Sequence, residues 1–210
     1  MIFAIGALSA TLYLFYTTHP VGPVRSAIKT LSVASLALSA VLSGALGLCL
    51  TLALCSLGDL LLSRDGDRAF AAGVAAFGAG HLAYAAVFLQ LPGSDLAQLV
   101  LPPMLWIAAV LLVVGAAAAR LLAPRAGALR GPVLVYIPVI LSMGLAALIV
   151  PRTGPLIWVL PAALAFMASD ILLAVEKFLL SDAAPLTRIT PYLVWVLYWG
   201  AQAGFLVALT

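Results

Sequence analysis

Two aspartates stand within apolar stretches of the sequence and have similar neighbours. Asp59 lies in Ser-Leu-Gly-Asp-Leu-Leu, and Asp170 lies in Ala-Ser-Asp-Ile-Leu-Leu. A charged side chain at the centre of a membrane helix costs about 2.5 to 3.5 kcal/mol on insertion scales, so such residues are rare and usually functional. Two carboxyl groups in a cavity of low dielectric repel each other, which favours one protonated acid beside one ionised partner. The two aspartates therefore predict acid–base chemistry within a membrane.

Other polar residues also fall in apolar segments, at helical spacing. His81 and Tyr84 are three residues apart, and Tyr198 and Gln202 are four apart, so each pair shares one helix face. An amide in the middle of a membrane needs a polar partner. We therefore predict that His81 and Gln202 line the same cavity as the aspartates, with Tyr84 and Tyr198 beside them. A packed, hydrogen-bonded structural histidine is the alternative interpretation of His81.

Three basic residues lie near the ends of apolar segments. The stem of Lys29 could extend to the membrane surface, or its ammonium group could neutralise Asp59 or a lipid phosphate. Arg64 and Arg68 are close enough to the rim of the predicted site to contact a phosphate. The simplest alternative for these two arginines is a solvated loop.

The sequence contains no motif of a soluble hydrolase. There is no Gly-x-Ser-x-Gly elbow, no His-Glu-x-x-His and no phosphate-binding loop. Asp59, His81 and Asp170 have the right chemical types to hold a zinc ion. The preferred prediction is nevertheless a site without a metal and without a cofactor.

Composition defines the class of protein that must position these residues. The chain is 65% hydrophobic and only 8% charged, whereas roughly a quarter of the residues of soluble domains are charged. No polar stretch is longer than a short loop, so residues 1–210 are predicted to form a single all-α, polytopic membrane domain. The net charge of +3 gives no reason to expect a nucleic-acid partner. The expected surroundings are a lipid bilayer, and the sequence specifies no oligomeric state.

Apolar runs separated by Gly, Pro and polar residues predict eight transmembrane helices. We place them near residues 2–17, 28–44, 46–63, 68–91, 96–119, 131–150, 155–178 and 191–209. Residues 31–62 are the least clearly divided, because only Gly44 and Gly47 mark a turn there. As one helix this stretch would be about 48 Å long, more than one membrane crossing requires.

The distribution of positive charges supports eight helices. With eight, nine of the ten Lys and Arg residues fall on one side and only Arg152 falls on the other. A single helix over residues 31–62 would change this split to seven and three. Because Lys and Arg favour the cytoplasmic side of short loops, we expect both termini on the non-cytoplasmic side. Asp59 and Asp170 would then lie at similar depth, roughly 6 to 12 Å below the cytoplasmic boundary.

Four short motifs, taken in order, resemble the YhhN family of membrane lysoplasmalogenases. They are Gly58-Asp59, the segment Gly78–Tyr84 (Gly-Ala-Gly-His-Leu-Ala-Tyr), Ser169-Asp170 and the segment Tyr198–Gln202 (Tyr-Trp-Gly-Ala-Gln). The resemblance covers nearly the whole chain. At one position the chain departs from it, since Lys29 is followed by Thr30 where the family tends to have Lys-Pro.

The resemblance implies hydrolysis of the vinyl ether bond of lysoplasmalogens, a class of lysophospholipid, in a membrane such as the bacterial inner membrane. The products would be a fatty aldehyde and glycerophosphocholine or glycerophosphoethanolamine. Vinyl ethers are cleaved by acid, which suits catalysis by Asp59 and Asp170 with help from His81. His81 and Gln202 would position the water or the polar atoms of the substrate. The expected substrate-binding residues are Lys29, Tyr84, Tyr198, Gln202, Arg64 and Arg68. The alternative function is a transporter coupled to protons or another cation, in which the same aspartates carry the ion. The similar surroundings of the two aspartates would suit a carrier built from repeats.

Overall fold

The computed structural model describes residues 1–181 and 183–210, and this part of the chain is helical without any β-strand. The eight α-helices are α1 (Ile2–Tyr16), α2 (Pro23–Leu42), α3 (Leu46–Leu62), α4 (Asp67–Gln90), α5 (Met104–Leu122), α6 (Arg130–Leu148), α7 (Val159–Leu179) and α8 (Thr190–Leu209). Short 3-10 helices precede α5, α6, α7 and α8. The prediction of an all-α protein with eight helices is confirmed.

The long apolar stretch over residues 31–62 is divided at Gly44. Its φ angle of +76° lies in the left-handed region, which glycine adopts without the steric cost that a Cβ brings. The backbone N–H of Gly44 donates to Val41 and that of Ala45 donates to Ala40, which closes the end of α2. The chain therefore reverses here, and α2 and α3 are separate helices as predicted.

Three helix starts differ from the prediction, and proline accounts for two of them. Helix α2 begins at Pro23 rather than near 28, because proline is well accommodated in the first turn. Helix α5 begins at Met104 rather than near 96, since Pro102 and Pro103 interrupt the segment after a 3-10 turn. The first residues of the predicted seventh helix form the 3-10 helix Gly154–Trp158, with α7 following from Val159.

The helices have the length and composition of membrane spans. Six of them are long and apolar enough to cross a bilayer, while α1 and α3 are shorter, with 15 and 17 residues. Large apolar side chains such as Leu112, Val113 and Val135 are exposed on the outside of the bundle. Polar and charged side chains, including Asp59 and His81, are instead buried inside it. This arrangement, apolar outside and partly polar inside, identifies an integral membrane protein.

Close packing between α3 and α4 depends on glycine and fixes the position of Asp59. A Cβ atom on Gly58 would lie 2.6 Å from the ring of Phe77, and one on Gly80 would lie 2.9 Å from the sulfur of Cys55. Glycine at these positions lets the two helices approach closely, as small residues do in membrane proteins. The neighbour of Gly58, Asp59, is consequently held against the core of the bundle.

Candidate functional site

The two aspartates line one cavity, which we call the carboxylate cavity. It has a volume of about 180 Å³ and lies where α1, α3 and α7 end and where α2, α4 and α8 begin. Its walls include Asp59 and Asp170 together with the basic residues Arg25 and Lys29. The opposite end of the bundle carries both chain termini, since Phe3 and Thr210 line a common depression there.

Asp59 is fully buried and has two polar partners. The ammonium Nζ of Lys29 lies 3.1 Å from Asp59 Oδ1, and the hydroxyl of Tyr198 donates a hydrogen bond of 2.7 Å to Oδ2. Lys29 also lies 5.9 Å from the ring centre of Tyr13 and 6.0 Å from that of Trp195. A buried charge persists only when it is paired and hydrogen-bonded. These contacts therefore give the carboxyl group of Asp59 its own basic counter-charge.

Asp170 has a different set of partners. Its Oδ2 lies 2.8 Å from His81 Nε2 and accepts a hydrogen bond of 3.2 Å from the hydroxyl of Tyr136. The side chain of Asp170 is 9% exposed, whereas that of His81 is completely buried. The imidazole ring stacks on Tyr136 and meets Phe166 edge-on. The carboxyl group of Asp170 is thus accessible from the cavity, and His81 contacts it from the buried side.

We call Asp59 and Asp170, each with its polar partners, the two carboxyl clusters. A group of aromatic rings lies between these clusters. Phe166 packs against His81 at 4.3 Å between ring centres and against Tyr198 at 5.3 Å. Phe77 lines the cavity and meets both Phe166 and Tyr198 nearly perpendicularly. Apolar rings between two charged groups exclude water and strengthen electrostatic interactions. The cavity consequently combines the carboxyl groups of Asp59, Asp170 and Glu176 with a partly aromatic wall.

The structure brings together five of the predicted site residues. Lys29 and Tyr198 contact Asp59, and His81 contacts Asp170. The ammonium group of Lys29 therefore lies where the predicted role of counter-charge to Asp59 requires it.

Arg64 and Arg68 do not join this group. Both are exposed in the turn between α3 and α4 and at the start of α4, and neither lines the carboxylate cavity. Their exposure fits the alternative of a solvated turn, and the phosphate contact at the rim stays a prediction.

Tyr84 and Gln202 form a separate buried pair. The hydroxyl of Tyr84 donates a hydrogen bond of 2.6 Å to Oε1 of Gln202, and both side chains are fully buried. Neither residue lines the carboxylate cavity. The rings of Phe88 and Phe205 pack against Tyr84. The predicted contact of Gln202 with the cavity is therefore replaced by a polar link between α4 and α8.

The buried position of this pair predicts a structural effect when it is broken. In Tyr84→Phe, the amide oxygen of Gln202 loses its partner, and we expect a loss of stability of about 1 to 3 kcal/mol. Activity per folded molecule should stay close to that of the unaltered protein. Thermal unfolding in detergent measures the first effect, and the double variant Tyr84→Phe, Gln202→Leu should recover part of the loss. A large fall in activity of the folded single variant would contradict this assignment.

Several residues of the site were missed by the sequence interpretation. Arg25 and Glu176 line the carboxylate cavity, Tyr136 contacts Asp170, and Phe166 packs between the two clusters. For Tyr136 a signal existed, because a phenol inside a membrane helix normally requires a hydrogen-bond partner. Phe166 is one of many apolar residues in α7, and its sequence context gives no such signal.

The arrangement of the ionisable groups does not form a metal centre. Within residues 1–181 and 183–210, no three His, Cys, Asp or Glu side chains converge as a ligand set. The ammonium group of Lys29 lies against Asp59, in the position that a cation would need. The zinc ion considered from the residue types alone is therefore not supported by the geometry.

The fold and the site define an α-helical integral membrane protein with two carboxyl clusters in one internal cavity. Comparison with known protein families matches residues 24–209, nearly the whole chain, to the YhhN family. The chain belongs to the YhhN family. No curated protein and no solved structure matches it.

Proposed function

We propose that this protein is a membrane hydrolase that cleaves the vinyl ether bond of lysoplasmalogens. The products are a fatty aldehyde and glycerophosphocholine or glycerophosphoethanolamine. Family membership supports this assignment through the resemblance described above. The observation that carries the proposal is that Asp59 and Asp170 line one cavity but have different basic partners. Asp59 is paired with a lysine, and Asp170 is paired with a histidine.

The first step is the protonation of a carbon atom. Asp170, which reaches the cavity, donates its carboxyl proton to the β-carbon of the vinyl ether, and the π electrons of the double bond form the new C–H bond. The resulting cation is shared between the α-carbon and the ether oxygen. Asp59, ionised beside Lys29, stabilises that positive charge across the cavity. His81 acts through Asp170 and is a positioning residue.

The second step consumes water. The carboxylate left on Asp170 accepts a proton from a water molecule as its oxygen bonds to the α-carbon, which gives a hemiacetal and restores the acid. The hemiacetal loses its hydroxyl proton, its C–O bond to glycerol breaks, and the glycerol oxygen is protonated. The net reaction adds one water molecule and needs no cofactor.

Arg25 supports the placement of a phosphate-bearing head group in the carboxylate cavity. Its Nη2 donates a hydrogen bond of 3.1 Å to the carbonyl of Thr17. Its Nε is buried and has no hydrogen-bond partner among the described residues. Guanidinium groups bind phosphate through charge-assisted hydrogen bonds. We assign Arg25, together with Lys29, to the recognition of the lipid head.

The proposed topology places the carboxylate cavity at the cytoplasmic side of the membrane. Eight crossings would put nine of the ten Lys and Arg residues on the side of the cavity and both termini on the other. The substrate would then enter from the cytoplasmic leaflet, and the bacterial inner membrane is the proposed location.

The decisive experiment is product analysis with purified protein in detergent. The protein is incubated with a lysoplasmalogen and, separately, with the acyl lysophospholipid of the same head group and chain length. Mass spectrometry should detect fatty aldehyde and the glycerophospho-alcohol from the first substrate alone. Cleavage of only the acyl lipid would reject the vinyl ether assignment. No cleavage of either lipid would favour the transporter, because a carrier does nothing without two compartments.

A further inference from the structure

A second cavity adjoins the carboxylate cavity, and we call it the chain cavity. It has a volume of about 80 Å³ and lies among α3, α4, α5, α6 and α7. Its walls are apolar side chains such as Val74, Ile137 and Ile140, apart from Tyr136 and Asp170. The two cavities therefore differ in chemistry, one polar and charged, the other almost entirely hydrocarbon.

Asp170 stands at the boundary between the two cavities. It lines both of them, as do Phe77 and Leu173. The basic residues Arg25 and Lys29 line only the carboxylate cavity. A molecule that occupied both spaces would thus have a polar part near the cations, an apolar part in the chain cavity and its junction beside Asp170.

We infer that the chain cavity binds the first carbons of the hydrocarbon chain of a single-chain lipid whose head lies in the carboxylate cavity. This inference rests on the proposed function and extends it to the orientation of the substrate. In an alkenyl lysolipid the vinyl ether bond lies where head and chain meet, which is the part of the molecule placed beside Asp170. Burial of each methylene group in an apolar site contributes about 0.8 kcal/mol.

The chain cavity also indicates where the remainder of the chain lies. Several of its wall residues are half-buried rather than enclosed, including Ala118 on α5, Ile137 on α6 and Ile171 on α7. These helices carry exposed apolar side chains on their outer faces. A long chain therefore passes between them into the bilayer, and the small volume of the cavity admits a single chain.

The test fills the cavity with Ala118→Trp and uses Ala117→Trp as its matched control. Ala117 is the preceding residue of α5 and is exposed on the outer surface, outside the chain cavity. The probe is a non-cleavable alkyl ether lysophospholipid with a long chain, whose binding to the purified protein is measured in detergent. We expect Ala118→Trp to weaken binding by about tenfold or more, corresponding to the loss of a few buried methylenes. Ala117→Trp should bind like the unaltered protein.

Because binding is measured without turnover, the experiment tests the chain site independently of the proposed enzymatic function. Weaker binding to Ala118→Trp in a protein that cleaves no vinyl ether would reject the enzyme and retain the chain site. Equal binding by both tryptophan variants would overturn the chain site whatever the activity. Should Ala118→Trp fail to fold, the unaltered protein is labelled with a lysophospholipid that carries a diazirine on its chain. Labels on α5, α6 or α7 are expected, and labels confined to α1 and α8 would overturn the inference.

Discussion

Replacing Asp170 with asparagine is expected to lower kcat for lysoplasmalogen cleavage by about 1,000-fold, since general acid–base catalysis contributes roughly 100- to 10,000-fold. Asparagine has nearly the same size and can still hydrogen-bond to His81 and Tyr136. It cannot deliver a proton to carbon or accept one from water. Thermal unfolding should therefore change little, and the loss should appear in turnover measured as aldehyde release.

The control is Asp65→Asn, an identical substitution at an exposed residue of the turn between α3 and α4. This variant should keep the activity of the unaltered protein. Asp59→Asn should also be nearly inactive, because the oxocarbenium ion would lose the negative charge that stabilises it. Near-normal turnover in both Asp59→Asn and Asp170→Asn, with intact folding, would reject the acid–base mechanism.

The positions of the helices followed from the sequence because a membrane imposes simple constraints. Apolar length and turn residues were sufficient to divide the chain into eight helices, including the break at Gly44. Three helix starts were predicted wrongly, and prolines account for two of these errors, at Pro23 and at Pro102-Pro103. Proline is favoured in the first turn of a helix and often interrupts a helix elsewhere, although α6 contains Pro138 in its interior, and hydrophobicity alone does not distinguish these cases.

Which residues belong to the site was easier to predict than which of them contact each other. A charged or polar residue in an apolar segment is visible in the sequence, and Asp59, Asp170 and His81 were selected in this way. Which of them meet depends on rotations and distances between helices, and these follow from packing. Thus His81 contacts Asp170, and Gln202 contacts Tyr84 instead of lining the cavity.

Small residues and aromatic rings account for most of what the sequence left undetermined. The close contact of Gly58 with Phe77 sets the separation of α3 and α4. Phe166 then occupies the space between the two carboxyl clusters. Such contacts depend on the shapes of residues distant in the chain, so no local pattern encodes them.

Replacing Lys29 with methionine is expected to destabilise the protein by about 3 kcal/mol or more, because it leaves the carboxylate of Asp59 buried without its counter-charge. Methionine keeps most of the length and apolar character of the lysine stem, so the effect reports the charge rather than a cavity. The fall in Tm is measured by thermal unfolding in detergent. Lys177→Met, at an exposed residue of α7 whose ammonium group lies 5.0 Å from the ring centre of Phe70, is the matched control and should lower Tm much less.

A second substitution separates stability from catalysis at this pair. In Lys29→Met, Asp59→Leu, both members of the buried ion pair are removed, and a buried ion pair replaced by apolar residues is often neutral or stabilising. We therefore expect Tm to recover toward that of the unaltered protein. Activity should not recover, since the double variant has no carboxylate to stabilise the oxocarbenium ion. Recovery of both would show that Asp59 serves only to neutralise Lys29, and the role of stabilising the cation would pass to another group.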